Sequence, residues 1–295
     1  MKILILGASG MIGSTVFRIL AARNGWEVFG TLRDRNVKRF FLTEVADHLI
    51  SGVDVENEDI LVKVFERVRP EIVINCAGLT KHKPESDHPL VSLPINSLLP
   101  HRLAALCQLV KARFVHISTD CVFSGQNGNY SENDFTDARD TYGKSKVLGE
   151  VVGPRIVTLR TSTIGHELQT AYGLLDWFLS QRTACKGFTR AVFSGLPTVV
   201  LAQVIRDAVI PHENLSGLYH VAARPISKFD LLHIIAKRYE KNIEIVADPS
   251  LVIDRSLKAD RFYSATGYVP PNWHDLIDTM YLDRMSATHA PAATD

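Results

Sequence analysis

The sequence predicts an α/β protein built on a doubly wound parallel sheet, followed by a smaller C-terminal α/β part. Three observations predict it. Short apolar runs alternate with amphipathic stretches at least five times in the first 165 residues, a rhythm that gives parallel strands with helices on both faces. A glycine-rich turn, GASGMIG (residues 7–13), stands directly after the first apolar run. A chain of 295 residues with 46% hydrophobic and 22% charged content also has the means to bury a sizeable core.

The elements follow in order. KILIL (2–6) is a short apolar run of the kind that makes a buried parallel strand. MIGSTVFRILAAR places Ile12, Val16, Ile19 and Leu20 at helical spacing, and EVFGT supplies a second strand. NEDILVKVFERV (57–68) is amphipathic, opens on Asn57 as a cap and stops before Pro70. EIVINCAG and ARFVHIST read as strands, with SLLPHRLAALCQLV (97–110) as the helix between them. TYGKSKVLGEVV (141–152) reads as a helix and RIVTLRTS (155–162) as a strand.

After Ser162 the rhythm weakens. TVVLAQVIRDAVI and GLYHVA (198–222) are expected to return to the sheet, so residues 1–165 with 198–222 form one unit and residues 166–197 and 223–285 another. SKFDLLHIIAKRYEK is a helix capped by Ser227; IEIV and WHDLIDTMYLDRM follow, and residues 286–295 are expected to be a disordered tail.

Charge and cysteine usage exclude several classes. With 33 basic against 32 acidic residues the net charge is +1, which leaves no footprint for nucleic acid or an anionic membrane. Cys76, Cys107, Cys121 and Cys185 are widely spaced with no CxxC pair, as in a reducing cytoplasm. Gly7 ends the opening apolar run too early for a signal peptide, and no 18-residue apolar span is expected further on. The histidines show no HExxH spacing, so no metal is expected, and His82 and His88 read as solvated.

The glycine turn is the first sign of chemistry. A tight strand-to-helix turn, a pyrophosphate approaching a helix N-terminus and close helix–sheet packing each favour glycine. The spacing here is GxxGxxG, and its place at the first βα junction points to a dinucleotide. At the end of the second strand the count reaches Arg33, where an adenosine 2′-phosphate would be met by a guanidinium. That favours NADPH, with NADH as the alternative because Asp34 is adjacent; Asp54, after the third strand, would neighbour the adenine.

Tyr142 and Lys146 share one helix face at i and i+4. An ammonium beside a phenol is expected to lower its pKa and make it a proton donor near neutral pH, while the lysine holds the cofactor ribose. A YxxxK arises by chance in roughly every second chain of this length, but this one falls where the next helix of the sheet should begin. VHISTD ends a strand at Ser118, Thr119 and Asp120, at the sheet edge where such folds place ligands.

Together with these motifs, NCAG (75–78), PINS with Asn96, STDCVFSG, LRTS, GLPT (195–198), GLYHVA and RSLKADRF make the chain resemble an extended short-chain dehydrogenase/reductase, and more narrowly the dTDP-4-dehydrorhamnose reductase family. The resemblance implies a Rossmann fold and NADPH-dependent reduction of a nucleotide-linked 4-keto-6-deoxy sugar. It implies a catalytic trio of Thr119, Tyr142 and Lys146. It places Gly7, Ser9, Gly10, Met11, Ile12, Gly13, Arg33, Asp54, Val55, Cys76, Ala77, Gly78, Asn96 and Ser118, with Tyr142 and Lys146, at the cofactor. Thr80, Asp120, Cys121, Thr163 and Arg255 fall to the nucleotide sugar, and a homodimer is the assembly left open.

Two positions depart from the family pattern, Cys121 where a tyrosine is usual and Thr163 where a tryptophan is usual, which leaves a differently shaped sugar pocket. Cys121 also takes the place of the second acid–base residue a dehydratase would need. A nucleotide-sugar 4-epimerase and a non-catalytic regulatory subunit remain as alternatives; Arg33 argues against the first and the Tyr142/Lys146 pair against the second. Lys81 to Lys83 and Arg261 read as surface charges, and Trp177 as a core aromatic.

Overall fold

The computed structural model describes residues 1–81 and 84–288. The first half runs β1 (Lys2–Leu6), α1 (Met11–Ala21), β2 (Glu27–Leu32), the short α2 (Thr43–Ala46), β3 (Leu49–Ser51), α3 (Glu58–Val68), β4 (Ile72–Asn75), α4 (Pro89–Leu93), α5 (Leu99–Val110), β5 (Arg113–Thr119), α6 (Thr141–Leu148) and β6 (Ile156–Thr161). The second half runs β7 (Thr163–Ile164), α7 (Leu174–Ser180), β8 (Ala184–Phe188), β9 (Ala191–Phe193), β10 (Leu196–Pro197), α8 (Thr198–Val204), β11 (Gly217–His220), β12 (Ile226–Ser227), α9 (Lys228–Arg238), β13 (Glu244–Asp248), β14 (Ile253–Asp254), α10 (Asp260–Thr266) and α11 (Trp273–Thr288).

Seven strands form the central sheet in the order β11-β6-β5-β4-β1-β2-β3, and every pairing is parallel. The chain order reverses between β1 and β4, which opens a crevice at their carboxyl ends. The strands are apolar without alternation because both faces are covered. Ile3 and Ile5 of β1, Ile72 and Ile74 of β4 and Val115 and Ile117 of β5 enter the core under α8, α9 and α11. Leu4 and Leu6, Val73 and Phe114 enter the opposite core, under α3 and α5.

Local chemistry sets the helix ends. Asn57 caps α3 by accepting from the Ile60 amide at 3.1 Å, and Arg69 ends it in the left-handed region at φ 51°. Ser227 caps α9 by accepting from the Asp230 amide, as its sequence position predicts. β11 pairs with β6, and α8 packs on α1. Three small sheets, β10–β7, β12–β9–β14 and β13–β8, account for the weak rhythm of the second half, because strands of two to five residues leave little periodic trace.

Four expectations change. The helix read as 97–110 begins at Pro89: α4 and α5 join through a π turn at Pro94–Leu98 into one 22-residue helix. By length and composition that helix could cross a membrane, contrary to the expectation that no such span exists, but its Leu99, Leu103 and Cys107 face is buried in the core over β4 and β5. α6 stops at Leu148 instead of residue 152, because Gly149 lies so close to the π turn that an added Cβ would overlap the Asn96 carbonyl. The last helix continues three residues past 285; residues 289–295 of the expected tail lie outside the described residues.

Candidate active site

The glycine turn is shaped by three separate demands. Gly7 has φ +80°, and its amide donates to Thr31 Oγ1 at 3.1 Å. Gly13 packs so tightly that a Cβ would overlap the Gly7 carbonyl oxygen and lie 2.8 Å from its carbon. Gly10 is different: a Cβ there would meet only Gly7 O, at an ordinary 3.6 Å. Gly10 is also the N-cap of α1, with no side-chain cap over the helix's first amides. Nothing within the protein requires a glycine at that position, whereas an anion approaching the bare helix N-terminus would.

A cavity of about 760 Å³ opens over this turn. Gly7, Ser9, Gly10 and Met11 line one wall; Arg33 and Asp34, then Asp54 and Val55, continue it from the ends of β2 and β3. Cys76, Ala77, Gly78 and Thr80 follow from β4. Asn75 directs this last segment: buried, it accepts from the Ala77 amide at 3.1 Å and meets His116 Nδ1 at 3.1 Å, which brings Ala77 against Gly7. Both candidates for the adenosine ribose, Arg33 and Asp34, reach the cavity, and Asp34 is engaged in capping the turn that follows, through the Asn36 amide at 2.9 Å.

Ile12 and Gly13 face the core side of α1, away from the cavity. Asn96 acts at one remove. From the π turn it clamps Leu79 by both backbone groups, at 2.8 and 3.2 Å, and donates to Ser145 Oγ at 3.1 Å, fixing the strand-end loop to α6. Ser118 turns from the cavity and donates to Glu150 at 2.7 Å.

Thr119, Tyr142 and Lys146 meet at the carboxyl edge of the sheet. Asp140 caps α6 through the Gly143 amide and pairs with Lys81, both at 2.7 Å, which sets where Tyr142 begins. Thr119 Oγ1 accepts from the Cys121 amide at 3.1 Å and faces the Tyr142 phenol. Lys146 donates from Nζ to the Ile117 carbonyl at 2.9 Å. The trio does not itself line the cavity but stands against residues that do: Cys76 acts on Lys146, and Ser162 bonds to Asp120.

The electrostatics correct one expectation. Burial, and then Cys121, hold the Tyr142 phenol above its ordinary value, with the Thr119 hydroxyl pulling the other way. Lys146 is not among the main influences on it; its ammonium donates to Ile117, and burial brings its own pKa down to about 8, with Glu150 and Cys76 opposing. Tyr142 therefore keeps its proton at neutral pH. Burial likewise raises Asp120, against the pull of Arg255 and hydrogen bonds from Cys121, Thr119 and Ser162. The Cys121 thiol is pushed up to about 12, by burial and then Asp120, and stays neutral.

Thr163 lines the cavity beside Ser162, Ile164 and Gly165. Arg255 lies behind Cys121, with Nε on the Phe123 carbonyl at 2.8 Å and Nη1 3.8 Å from Cys121 Sγ, so a guanidinium backs the position where the family pattern has an aromatic ring. Lys228, at the start of α9, was not anticipated from the sequence. It lines the cavity, and burial lowers its pKa while Asp120 and Cys121 raise it. Only its place after the Ser227 cap could have drawn attention to it. Trp177 is 38% exposed and lines the cavity with Phe188 and Phe193, so it is not the core aromatic expected. Lys81 pairs with Asp140 rather than standing free, while His82 and Lys83 lie outside the described residues. Among the described residues no cluster of three His, Cys, Asp or Glu could hold a metal.

A parallel doubly wound sheet with a bare glycine turn and a Thr–Tyr–Lys trio at its carboxyl edge defines an extended short-chain dehydrogenase/reductase. Within that class the chain belongs to the RmlD substrate binding domain family, whose model matches residues 1–262. It is 29% identical over 269 residues to the probable low-salt glycan biosynthesis reductase Agl14 of Haloferax volcanii, covering 87% of this chain and 84% of that one. It is 24% identical over 297 residues to a dTDP-4-dehydrorhamnose reductase of Aggregatibacter actinomycetemcomitans, covering 92% and 95%. Among solved structures, a dTDP-4-dehydrorhamnose reductase of Clostridium acetobutylicum superposes with a TM-score of 0.78 at 24% identity, covering 97% of this chain and all of that one.

Proposed function

We propose that the chain is an NADPH-dependent reductase of a nucleotide-linked 4-keto-6-deoxy sugar, acting in the cytoplasm in deoxysugar and polysaccharide biosynthesis. The observation that carries this reading is the trio's position beside the cavity over the glycine turn. Gly10, the uncapped start of α1 and Arg33 fit a phosphorylated dinucleotide, which would be gripped by backbone amides and a guanidinium. When bound, that cofactor supplies a hydride to the carbonyl carbon.

The chain's own residues do the rest. Thr119 and Tyr142 orient the carbonyl oxygen, and Tyr142, kept neutral by burial, gives it a proton. Lys146 holds the ribose and carries the nearby positive charge. Lys228 and Arg255, with Trp177, Phe188 and Phe193, supply cations and apolar faces suited to a nucleoside diphosphate. Residues 1–165 with 198–222 would then be the dinucleotide-binding part, and 166–197 with 223–285 the substrate-binding part. Among the described residues every cysteine is free, in keeping with a reducing compartment.

A second reading has one observation in its favour. The chain is also 29% identical, over 150 residues and 42% of that protein's length, to methionine adenosyltransferase 2 subunit beta of Danio rerio, so a subunit role is the alternative. The experiment is a panel of nucleotide-linked keto sugars with NADPH and NADH, following absorbance of the reduced cofactor. Consumption with one sugar supports the reductase, and Tyr142→Phe should then lose ~10²- to 10⁴-fold in kcat while binding NADPH. Tight cofactor binding with no turnover supports the subunit, and exchange of 4-epimers without net cofactor use supports an epimerase.

A further inference from the structure

Behind Tyr142 and Lys146 lies a buried polar rung that the chemistry above does not use. Ser118 on β5 and Arg160 on β6 are direct register partners, and Arg160 is in turn the register partner of His220 on β11. Glu150, four residues after Lys146 and just beyond α6, reaches across this rung. Its Oε1 accepts from Ser118 Oγ and from Arg160 Nε, and its Oε2 from Arg160 Nη2, all at 2.7 Å. The Arg160 and Glu150 side chains are only 5% and 10% exposed. The Arg160 guanidinium also lies 5.2 Å over the Phe123 ring and 3.3 Å from His220 Nε2. Phe123 in turn accepts from Arg255 through its carbonyl.

The arrangement bears directly on the reaction. Lys146 is latched to Ile117 and Glu150 to Ser118, adjacent residues of the strand that ends in Thr119. Two latches one helical turn apart fix both the rotation and the translation of the catalytic segment against β5. Stability alone does not explain a buried ion pair here, since an apolar pair of similar size commonly serves folding as well or better. A bidentate carboxylate–guanidinium pair instead sets direction. Of the groups that interact with Lys146, Cys76 just past β4 and His116 on β5 are buried and neutral, which leaves Glu150 as the carboxylate acting on it.

We propose that Glu150 is a positioning residue: through Ser118 and Arg160 it aligns Tyr142 and Lys146 with β5 and supplies the counter-charge that keeps Lys146 an ammonium. The alignment half of this rests on the reductase reading; the counter-charge half does not.

The test uses the full chain labelled with ¹³C-lysine, following the Lys146 Cε signal with pH, assigned by its loss in Lys146→Arg. Two variants are read. Glu150→Gln keeps the shape, and the double variant E150L/R160M removes both charges so that no lone ion stays buried. In Glu150→Gln the Lys146 midpoint should fall by roughly half a pH unit or more, and in either variant kcat should fall by ~10-fold or more with KM changed less than ~3-fold. A Lys146 midpoint that does not move in folded Glu150→Gln overturns the counter-charge role, and wild-type kcat in either folded variant overturns the alignment role. The titration needs neither cofactor nor sugar, so even in a chain that reduces no keto sugar it would show whether Glu150 holds the charge on Lys146.

Discussion

Replacing Gly10 and Gly13 separately by alanine should divide folding from cofactor binding. A Cβ on Gly13 would sit 2.8 Å from the Gly7 carbonyl carbon and 3.2 Å from Ala8 Cα, besides overlapping the Gly7 oxygen. These are backbone atoms, and Gly7 is itself held by Thr31, so the turn cannot yield without losing that bond. Overpacking of this kind costs about 1–3 kcal/mol, and in a chain of this size ~2–4 °C of Tm follows each kcal/mol. Gly13→Ala should therefore melt ~2–12 °C lower. Gly10→Ala adds a methyl in ordinary contact at φ −78°, so its stability should stay within ~1 kcal/mol of wild type. The same methyl would stand where a pyrophosphate reaches the α1 amides; losing a charged hydrogen bond there is worth ~1.5–3 kcal/mol, on the order of 10- to 100-fold in Kd. Thermal scanning gives the first quantity, and energy transfer from tryptophan, Trp177 included, to bound NADPH gives the second. Wild-type NADPH affinity in Gly10→Ala would refute the argument that this glycine serves a ligand.

Other outcomes follow from the same geometry. Arg33→Ala should weaken NADPH by ~10-fold or more and leave NADH unchanged, read as Kd by fluorescence; equal losses for both would place the guanidinium elsewhere. Lys228→Ala should raise the sugar-nucleotide KM by ~10-fold or more with kcat nearly unchanged, and an unchanged KM would remove this lysine from the substrate grip. Burial, and then the Arg160 charge, bring the His220 pKa down to about 3 from 6.5. The unfolded chain therefore binds a proton that the native chain refuses between these values, and stability should fall as pH drops from 6.5 towards 3, by up to ~1.4 kcal/mol per unit crossed; His220→Asn should flatten that slope in urea titrations. For Lys146 the sign is the same in a different window: with its pKa lowered to about 8 from 10.5, the burial penalty is full below pH 8 and is relieved as pH rises towards 10.5. Lys146→Met should lose that gain at alkaline pH.

Much of the architecture was legible because the signals were local. The run KILIL, the glycine turn, the Asn57 and Ser227 caps and the YxxxK spacing each act within one helical turn or one strand, and each stands where its chemistry requires. The π turn at Asn96 was not legible, because its cause is tertiary: Ser145 and Leu79 draw the Asn96 side chain into the wall of the site. Lys228 and Trp177 were missed or misplaced for a related reason. Neither carries a pattern of its own, and only the return of the chain past the sheet edge brings them to the cavity. The expected effect of Lys146 on Tyr142 failed because spacing shows which groups share a face but not which partner, here the Ile117 carbonyl, has already claimed the ammonium.

The seventh strand has an engineering consequence. β11 enters the main sheet from a stretch of chain that comes after β7–β10, and it brings His220 to Arg160. The segment carrying β7–β10 thus lies between two strands of the main sheet rather than after its last one. A chimera that exchanges substrate preference with a relative would need cuts on both sides of residues 198–222, and a fragment truncated near residue 165 would leave β6 as a raw edge, its Arg160 still paired with Glu150 but without His220 beside it.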